Sequence, residues 1–348
     1  MLLVKPSSTI TRLLARRGYS TTTSPRHLLS IGDLTPSELA LLVRNAAAHK
    51  AAISAGTESE ALRSALRNKT IAITMSKRST RTRISTEAAI AALGGNPLFL
   101  GKQDIQLGVN ETLRDSAIII SSMTSGIVAR VGPHSDVEGL AQYSSVPVIN
   151  ALSDLYHPLQ TVADFLTVKE AFGNGGKSLG LEGLKMAWIG DANNVLFDLA
   201  IGAMKLGVNL AVATPEEYRI PENMRAVIRK AAELAPQPGT LTETTVPEEA
   251  IKEADILVTD TWVSMGQEQE MAQRMKVFSG YQITSEMAKR GGAKPGWKFM
   301  HCLPRHPEEV SDEVFYGPRS LAFQEGANRL WAAVSVIEAF VVNKGQID

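Results

Sequence analysis

The sequence predicts an α/β protein of two doubly wound domains, each with a mainly parallel four- to five-stranded sheet flanked by helices. Short runs rich in Val, Ile, Leu and Ala come in two sets of four. They lie at 70–75, 97–100, 126–131 and 146–150, then at 185–190, 209–214, 255–259 and 297–303. The runs lack strict alternation, as strands buried on both faces do, and helical patterns separate them, which calls for parallel pairing. The glycine-rich stretch Gly173-Asn174-Gly175-Gly176-Lys177 divides the two sets. With 348 residues the chain is long enough for two cores.

Residues 1–32 contain Lys5, Arg12, Arg16, Arg17 and Arg26 and no acidic residue. Ser and Thr are frequent there, and Ile10, Leu13 and Leu14 share one helical face. Residues 1–24 therefore read as a mitochondrial transit peptide, with a basic arm for nucleic acid or a membrane surface as the alternative. Removing the four cations up to Arg17 from a chain of net charge zero leaves the mature chain at −4, which argues against a nucleic-acid partner. No apolar run is long enough to span a membrane. The single cysteine, Cys302, excludes an intrachain disulfide and CxxC chemistry and fits a reducing compartment such as the mitochondrial matrix.

A first helix is expected from Pro36 to about Ser54. Thr35 and Glu38 form a capping box, Pro36 sits at the first helical position, and Leu34 and Leu39 staple the entry. Domains are expected at 30–172 and 180–325. A last helix, over 327–343 and ending near Gly345, is free to pack back on the first domain, so residues 326–345 complete it.

The stretches with chemical content sit at the expected strand ends. Ser79-Thr80-Arg81-Thr82-Arg83 lies between the run at 70–75 and a helical segment at 84–93. Hydroxyls, unpaired N–H groups and two guanidinium groups converge there, as in a phosphate cradle without the glycines of a P-loop. A solvated basic helix start is the alternative. Arg130 ends Gly126-Ile127-Val128-Ala129-Arg130, where parallel sheets bind ligands. In His157-Pro158-Leu159-Gln160 an imidazole and a carboxamide share a helix face and suit a planar group with one carbonyl and one amine. Helix capping by His157 is the alternative. Ile189-Gly190-Asp191-Ala192-Asn193-Asn194 lacks the G-x-G-x-x-G spacing of a dinucleotide site and offers amides to a small polar ligand. In Asp260-Thr261-Trp262-Val263-Ser264-Met265-Gly266, Asp260 suits a substrate ammonium group, and Ser264 and the Met265 backbone suit an amino-acid head group. An ordinary capped loop is the alternative. In His301-Cys302-Leu303-Pro304-Arg305-His306, the thiol is either a buried inert group or a thiolate favoured by His301, Arg305 and His306. Zinc there lacks a second Cys or a spaced ligand pair. Arg329 is expected in the first turns of the last helix, where a bound anion would offset its conflict with the helix dipole.

In this order these stretches resemble the aspartate/ornithine carbamoyltransferase family and run through nearly the whole chain after the leader. His301-Cys302-Leu303-Pro304-Arg305 and Ser264-Met265-Gly266 resemble its ornithine branch. The aspartate branch has His-Pro-Leu-Pro-Arg at the first of these and a catalytic Lys where this chain reads Gln106-Leu107-Gly108. Ala192 stands where many relatives have Gly. The resemblance implies transfer of the carbamoyl group of carbamoyl phosphate to the δ-amine of L-ornithine, giving L-citrulline and phosphate in arginine biosynthesis, with no metal or organic cofactor. It implies that Ser79, Thr80, Arg81 and Thr82 bind the phosphate with Arg130 and Arg329. Thr82, Arg130 and His157 then point at the carbamoyl oxygen, and Gln160 and the Leu303 carbonyl hold the carbamoyl amine. Asn194, Asp260, Ser264 and Met265 grip the α-amino and α-carboxylate groups of ornithine. Cys302 lies beside the δ-amine as the proton-accepting position. Gln106, in the loop at 104–108, reaches a neighbouring active site of a homotrimer with shared sites. A non-catalytic regulatory or scaffold subunit, or a transferase for another amine, is the alternative, and no chemical position of the family is missing.

Overall fold

Two parallel sheets form the frame. The computed structural model describes residues 24–103, 111–173, 179–263 and 270–347. In the first half, strands β1 (Thr70–Met75), β2 (Asn96–Gly101), β3 (Gly126–Arg130) and β4 (Val148–Leu152) alternate with helices. These are α1 (Pro36–Ala55), α2 (Glu60–Arg63), α3 (Thr80–Ala92), α4 (Leu113–Met123), α5 (His134–Tyr143) and α6 (Pro158–Phe172). In the second half, β5 (Lys185–Ile189), β6 (Asn209–Ala213), β7 (Leu241–Thr244), β8 (Ile256–Thr259) and β9 (Lys298–His301) form the other sheet. Its helices are α7 (Asn194–Lys205), α8 (Glu222–Glu233), α9 (Pro247–Ile251), α10 (Met271–Val277), α11 (Ser285–Arg290) and α12 (Asp312–Phe315). The last helix, α13 (Ala322–Ile337), ends in a π turn over Glu338–Val342.

Strand order is β2-β1-β3-β4 in the first sheet and β7-β6-β5-β8-β9 in the second, all pairs parallel. Order reverses between β1 and β3 and between β5 and β8. Loops leaving these strands diverge there and open a crevice at their carboxyl ends. The expected fold class holds, with two local differences. β4 starts two residues later than its apolar run, because Pro147 has no N–H for the ladder and serves only as acceptor, to Ile127 N–H at 2.9 Å. β7 went unread because Leu-Thr-Glu-Thr is an edge strand without an apolar run.

Local chemistry sets α1 as expected. Thr35 Oγ1 accepts from Glu38 N–H at 3.2 Å, and Glu38 accepts from Thr35 N–H at 2.8 Å. Arg26 adds an ion pair to Glu38 at 2.6 Å. α13 begins at Ala322, five residues before the expected start, and runs through Gly326. It packs on α3, α6 and α1, so the end of the chain closes the first domain's core.

The largest core is continuous between the two halves. It joins Phe165 of α6, Trp188 of β5 and Phe340 of the π turn, all fully buried. The segment before α1 strengthens the join. Leu28 pairs with the edge of β4, donating to Val148 C=O at 3.0 Å and accepting from Asn150 N–H at 2.8 Å. The buried Lys205 of α7 donates to the carbonyls of Ile31, Gly32 and Leu34 around a short 3₁₀ turn, sharing the Ile31 oxygen with Leu34 N–H. Among the described residues no helix is long and apolar enough to cross a membrane. The proposed leader lies outside the described residues up to position 23, as does the loop at 104–108.

Candidate active site

The residues singled out in the sequence gather at the carboxyl ends of β1, β3, β4, β5, β8 and β9. Ser79 caps α3, its Oγ accepting from Thr82 N–H at 3.3 Å and donating to Thr82 Oγ1 at 3.1 Å. Thr80 opens the helix and is exposed; Thr82 is buried. Arg81 turns across the crevice and donates to the Leu303 carbonyl after β9 at 2.5 Å. Arg83 does not join it. Its Nε donates to Glu87 at 2.9 Å one turn along α3, and its guanidinium stacks 3.8 Å from the Phe99 ring. One guanidinium of the pentapeptide serves the crevice, where two were expected, because positions 81 and 83 point to different sides of a helix.

Beside Arg81 stand Arg130, His157, Gln160 and Arg329, all buried. Arg130 donates to Thr82 Oγ1 at 3.3 Å. Arg329 donates to Gln160 Oε1 at 2.7 Å and contacts His157 Nε2 at 3.3 Å. The partners of all three arginines are a carbonyl, a hydroxyl, an imidazole and a carboxamide, so no carboxylate among the described residues is hydrogen-bonded to them. Arg130 Nε, Arg329 Nε and one terminal nitrogen of Arg329 are buried without partners. Burial, then mutual repulsion, pushes Arg130 and Arg329 down to about 10. Burial, then the three arginines, holds His157 well below the usual imidazole range, so the ring is neutral. Because guanidinium only donates, His157 Nε2 is its acceptor and the ring proton sits on Nδ1, which has no partner. His157 precedes α6 but makes no capping bond with its side chain, which removes the capping alternative. Arg329 is the eighth residue of α13, five positions further into the helix than the expected start at 327 implies. The cost of its unpaired charge comes from burial beside other cations and not from the helix dipole.

The facing wall is acidic. Asp260 follows β8 and accepts from Asn193 Nδ2 at 2.8 Å and from the Cys302 thiol at 3.0 Å. Asn194, next in α7, donates instead to the Ser153 carbonyl of the first half at 2.6 Å. Leu303 adopts a left-handed backbone, φ 65°, which aims its carbonyl at Arg81. Of the two readings of Cys302, the site favours the buried thiol over the thiolate. Burial and the charges of Asp260 and Glu325 push the thiol well above its ordinary range. The basic side chains counted on to lower it face elsewhere. His301 Nε2 lies 3.1 Å from Glu309, His306 Nδ1 2.9 Å from Glu309, and Arg305 is held by Asp312 and the Val310 carbonyl. Ligand atoms of Asp260, His301 and Cys302 lie within 4.8 Å of one another, a proximity the spacing did not signal. In that cluster His301 Nδ1 accepts from Leu303 N–H at 2.9 Å and the thiol keeps its proton. Alkylation of Cys302 by iodoacetamide, read by mass spectrometry, is expected to be slower at pH 7.5 than that of free cysteine and to rise beyond pH 9. Asp260→Asn removes a charge that raises the thiol and should speed it several-fold. A rate that levels off below pH 8 would contradict this.

Gln106, Ser264 and Met265 lie outside the described residues. Sequence reasoning passed over Asp164, Glu325 and Glu309. Asp164 and Glu325 contact Gln160, and Glu309 ties Trp262 N–H to His301 and His306. An Asp inside the apolar helical run of α6 was the one available signal.

Comparison with known proteins agrees with this geometry. Residues 26–170 match the family model described as the aspartate/ornithine carbamoyltransferase carbamoyl-P binding domain, and residues 182–340 match its Asp/Orn binding domain. The mitochondrial ornithine carbamoyltransferase of Aspergillus niger is 64% identical over 329 residues, covering 93% of this chain and 89% of that protein. The crystal structure of a mitochondrial ornithine carbamoyltransferase from Coccidioides immitis superposes with a TM-score of 0.88 at 62% identity, covering 93% of this chain and all of that one. The ornithine carbamoyltransferase of Pyrococcus furiosus gives 0.84 at 40% identity, over 92% of this chain and 98% of its own. The chain belongs to the aspartate/ornithine carbamoyltransferase family.

Proposed function

We propose that this chain transfers the carbamoyl group of carbamoyl phosphate to the δ-amine of L-ornithine, giving L-citrulline and phosphate, in the mitochondrial matrix. The carrying observation is the convergence of Arg81, Arg130 and Arg329 on neutral partners only, with buried donors left over, opposite the Asp260 carboxylate. Such a cation cluster is costly when empty and is offset by an oxyanion. Residues 30–172, completed by 326–345, form the carbamoyl-phosphate side, and 180–325 the ornithine side.

Ser79, Thr80, Arg81 and Thr82 take the phosphate at the start of α3, where the helix offers free N–H groups. Arg130, Thr82 and the His157 ring face the carbamoyl oxygen; Gln160 and the Leu303 carbonyl face the carbamoyl amine. Charge develops on that oxygen and on the departing phosphate, and preplaced donors stabilise it without reorganising. Asp260 with Asn194, Ser264 and Met265 holds the amino-acid head group. Gln106 completes the phosphate site from a neighbouring copy.

An amine resembling Lys, with a reference pKa of about 10.4, arrives protonated and must lose its proton before attack. Cys302 is the acceptor in two steps. A substrate cation beside Asp260 lowers the cost of ionising the thiol, which the free enzyme keeps protonated and which then releases its proton to solvent. The resulting thiolate takes the proton from the δ-ammonium. A homotrimer with shared sites fits the exposed apolar residues Ile84, Leu98, Ile118, Ile119 and Met123 on α3, β2 and α4.

The test is citrulline formation by purified protein with ornithine, aspartate and putrescine as competing acceptors, beside sedimentation of the same sample. Ornithine is expected to be the preferred acceptor and the particle a trimer. Cys302→Ala should lower kcat and displace its pH profile. No citrulline would refute the activity, and an unchanged profile would remove Cys302 as proton acceptor.

A further inference from the structure

We infer that the buried acid pair Asp164–Glu325 fixes the Gln160 carboxamide with its oxygen toward the carbamoyl pocket, so that the site selects a carbamoyl group over its acetyl isostere. The inference rests on the assignment of Gln160 to the carbamoyl amine and adds the residues that orient it. Asp164 and Glu325 act through Gln160 and are positioning residues.

Hydrogen-bond bookkeeping carries it. Gln160 Nε2 has two hydrogens, and both are used, to Asp164 Oδ1 at 2.7 Å and to Glu325 Oε1 at 3.0 Å. Its Oε1 therefore turns the other way, where it accepts from Arg329 at 2.7 Å. The opposite orientation would set an amide NH₂ against a guanidinium and a carbonyl oxygen against two acids. All three residues are at most 3% exposed, so water cannot relieve such a mismatch. An acceptor-only group toward the pocket pairs with the NH₂ of a carbamoyl group and finds nothing on the methyl of an acetyl group.

Two carboxyls this close and this deep do not both ionise. Burial raises both, and their repulsion leaves one proton between them. Both Glu325 oxygens accept, Oε1 from Gln160 and Oε2 from His301 N–H at 2.8 Å, whereas Asp164 is held to Gln160 through Oδ1. Arg329 on α13, Asp260 after β8 and Cys302 after β9 are the other ionisable groups facing the pair. The contact with His301 N–H also ties the pair to the strand end that carries Cys302.

These contacts separate two isosteric changes. Asp164→Asn keeps an oxygen that accepts from Gln160 and places its NH₂ at the position Gln160 does not use. Glu325→Gln places an NH₂ where an acceptor is needed and invites Gln160 to rotate. The probes are KM for carbamoyl phosphate and Ki for acetyl phosphate as its competitor. Wild type is expected to favour carbamoyl phosphate about a hundredfold. Asp164→Asn should keep that ratio within about threefold, and Glu325→Gln should lower it at least tenfold. Adding Gln160→Glu to Glu325→Gln exchanges donor and acceptor across the contact. It should restore part of the ratio, and this arm stands even if Glu325→Gln alone folds poorly. Equal ratios in the two single variants, the reverse ranking, or no recovery in the double variant would overturn the inference. Wild-type enzyme that binds neither phosphate would instead refute the assignment of the site.

Discussion

Arg81→Ala is expected to raise KM for carbamoyl phosphate about a thousandfold while leaving the melting temperature of the free protein nearly unchanged. Losing one partner of a desolvated, hydrogen-bonded charge pair costs roughly 3–5 kcal/mol, and each 1.4 kcal/mol is a factor of ten. The free protein loses something different. Arg81 is one of three guanidinium groups whose charges depress Arg130 and Arg329, so removing it relieves repulsion. Against that gain stands the lost bond to the Leu303 carbonyl. The two changes oppose each other, and the net shift in melting temperature should stay within about 2 °C. Ligand-induced stabilisation should vanish, since it depends on concentration relative to Kd. Arg81→Lys keeps the charge without the fork and should recover only part of the affinity. Thermal melts with and without carbamoyl phosphate, beside initial rates, measure both quantities. Near-normal KM in Arg81→Ala would end the phosphate-cradle assignment.

What the sequence made legible follows from how local the physics is. Buried parallel strands announce themselves because both faces need apolar residues, so β1, β3, β5 and β6 lie where their runs stand. The α1 start was legible because its capping box closes within four residues. α13 was misjudged because Gly326 reads as a helix boundary. A glycine costs only about 1 kcal/mol in a helix interior, and packing on α3 and α6 outweighs it. The gathering of Arg81, Thr82, Arg130, His157, Gln160 and Arg329 was readable from a pentapeptide and four separated residues. The orientation of Arg83 and the protonation of Cys302 were not, since each depends on which neighbour a side chain finds in space. The same holds more strongly for the supporting acids. Glu325 meets Gln160 across 165 residues and Asp198 meets Ile31 across 167, and no spacing rule reaches that far.

Asp198→Ala should be the most destabilising single change near the site. Asp198 is fully buried on α7. Its Oδ1 accepts from Ile31 N–H at 2.9 Å and its Oδ2 from His157 N–H at 2.8 Å. One side chain of the second half thus holds both the chain entry and the backbone that presents His157. Alanine strands two buried N–H groups at about 1–3 kcal/mol each, or about 4 kcal/mol together. For a chain of this size that corresponds to a melting temperature lower by about 5 °C. The His157 ring loses its fixed backbone as well, so kcat is expected to fall about tenfold. A pH series separates this from simple loss of packing. Burial pushes the Asp198 carboxyl up from 3.8 to about 8. The native state therefore keeps a proton that the unfolded chain has released at intermediate pH. This residue's contribution is fully present below the unfolded value and is lost as pH rises through about 8. Asp198→Asn does not titrate. The stability of wild type relative to Asp198→Asn should be greatest near pH 5 and shrink steadily toward pH 8.5. Melts of wild type, Asp198→Asn and Asp198→Ala from pH 5 to 9 give the slope. A constant difference between wild type and Asp198→Asn would mean that Asp198 is ionised throughout, held so by its two N–H donors and by Lys205 nearby.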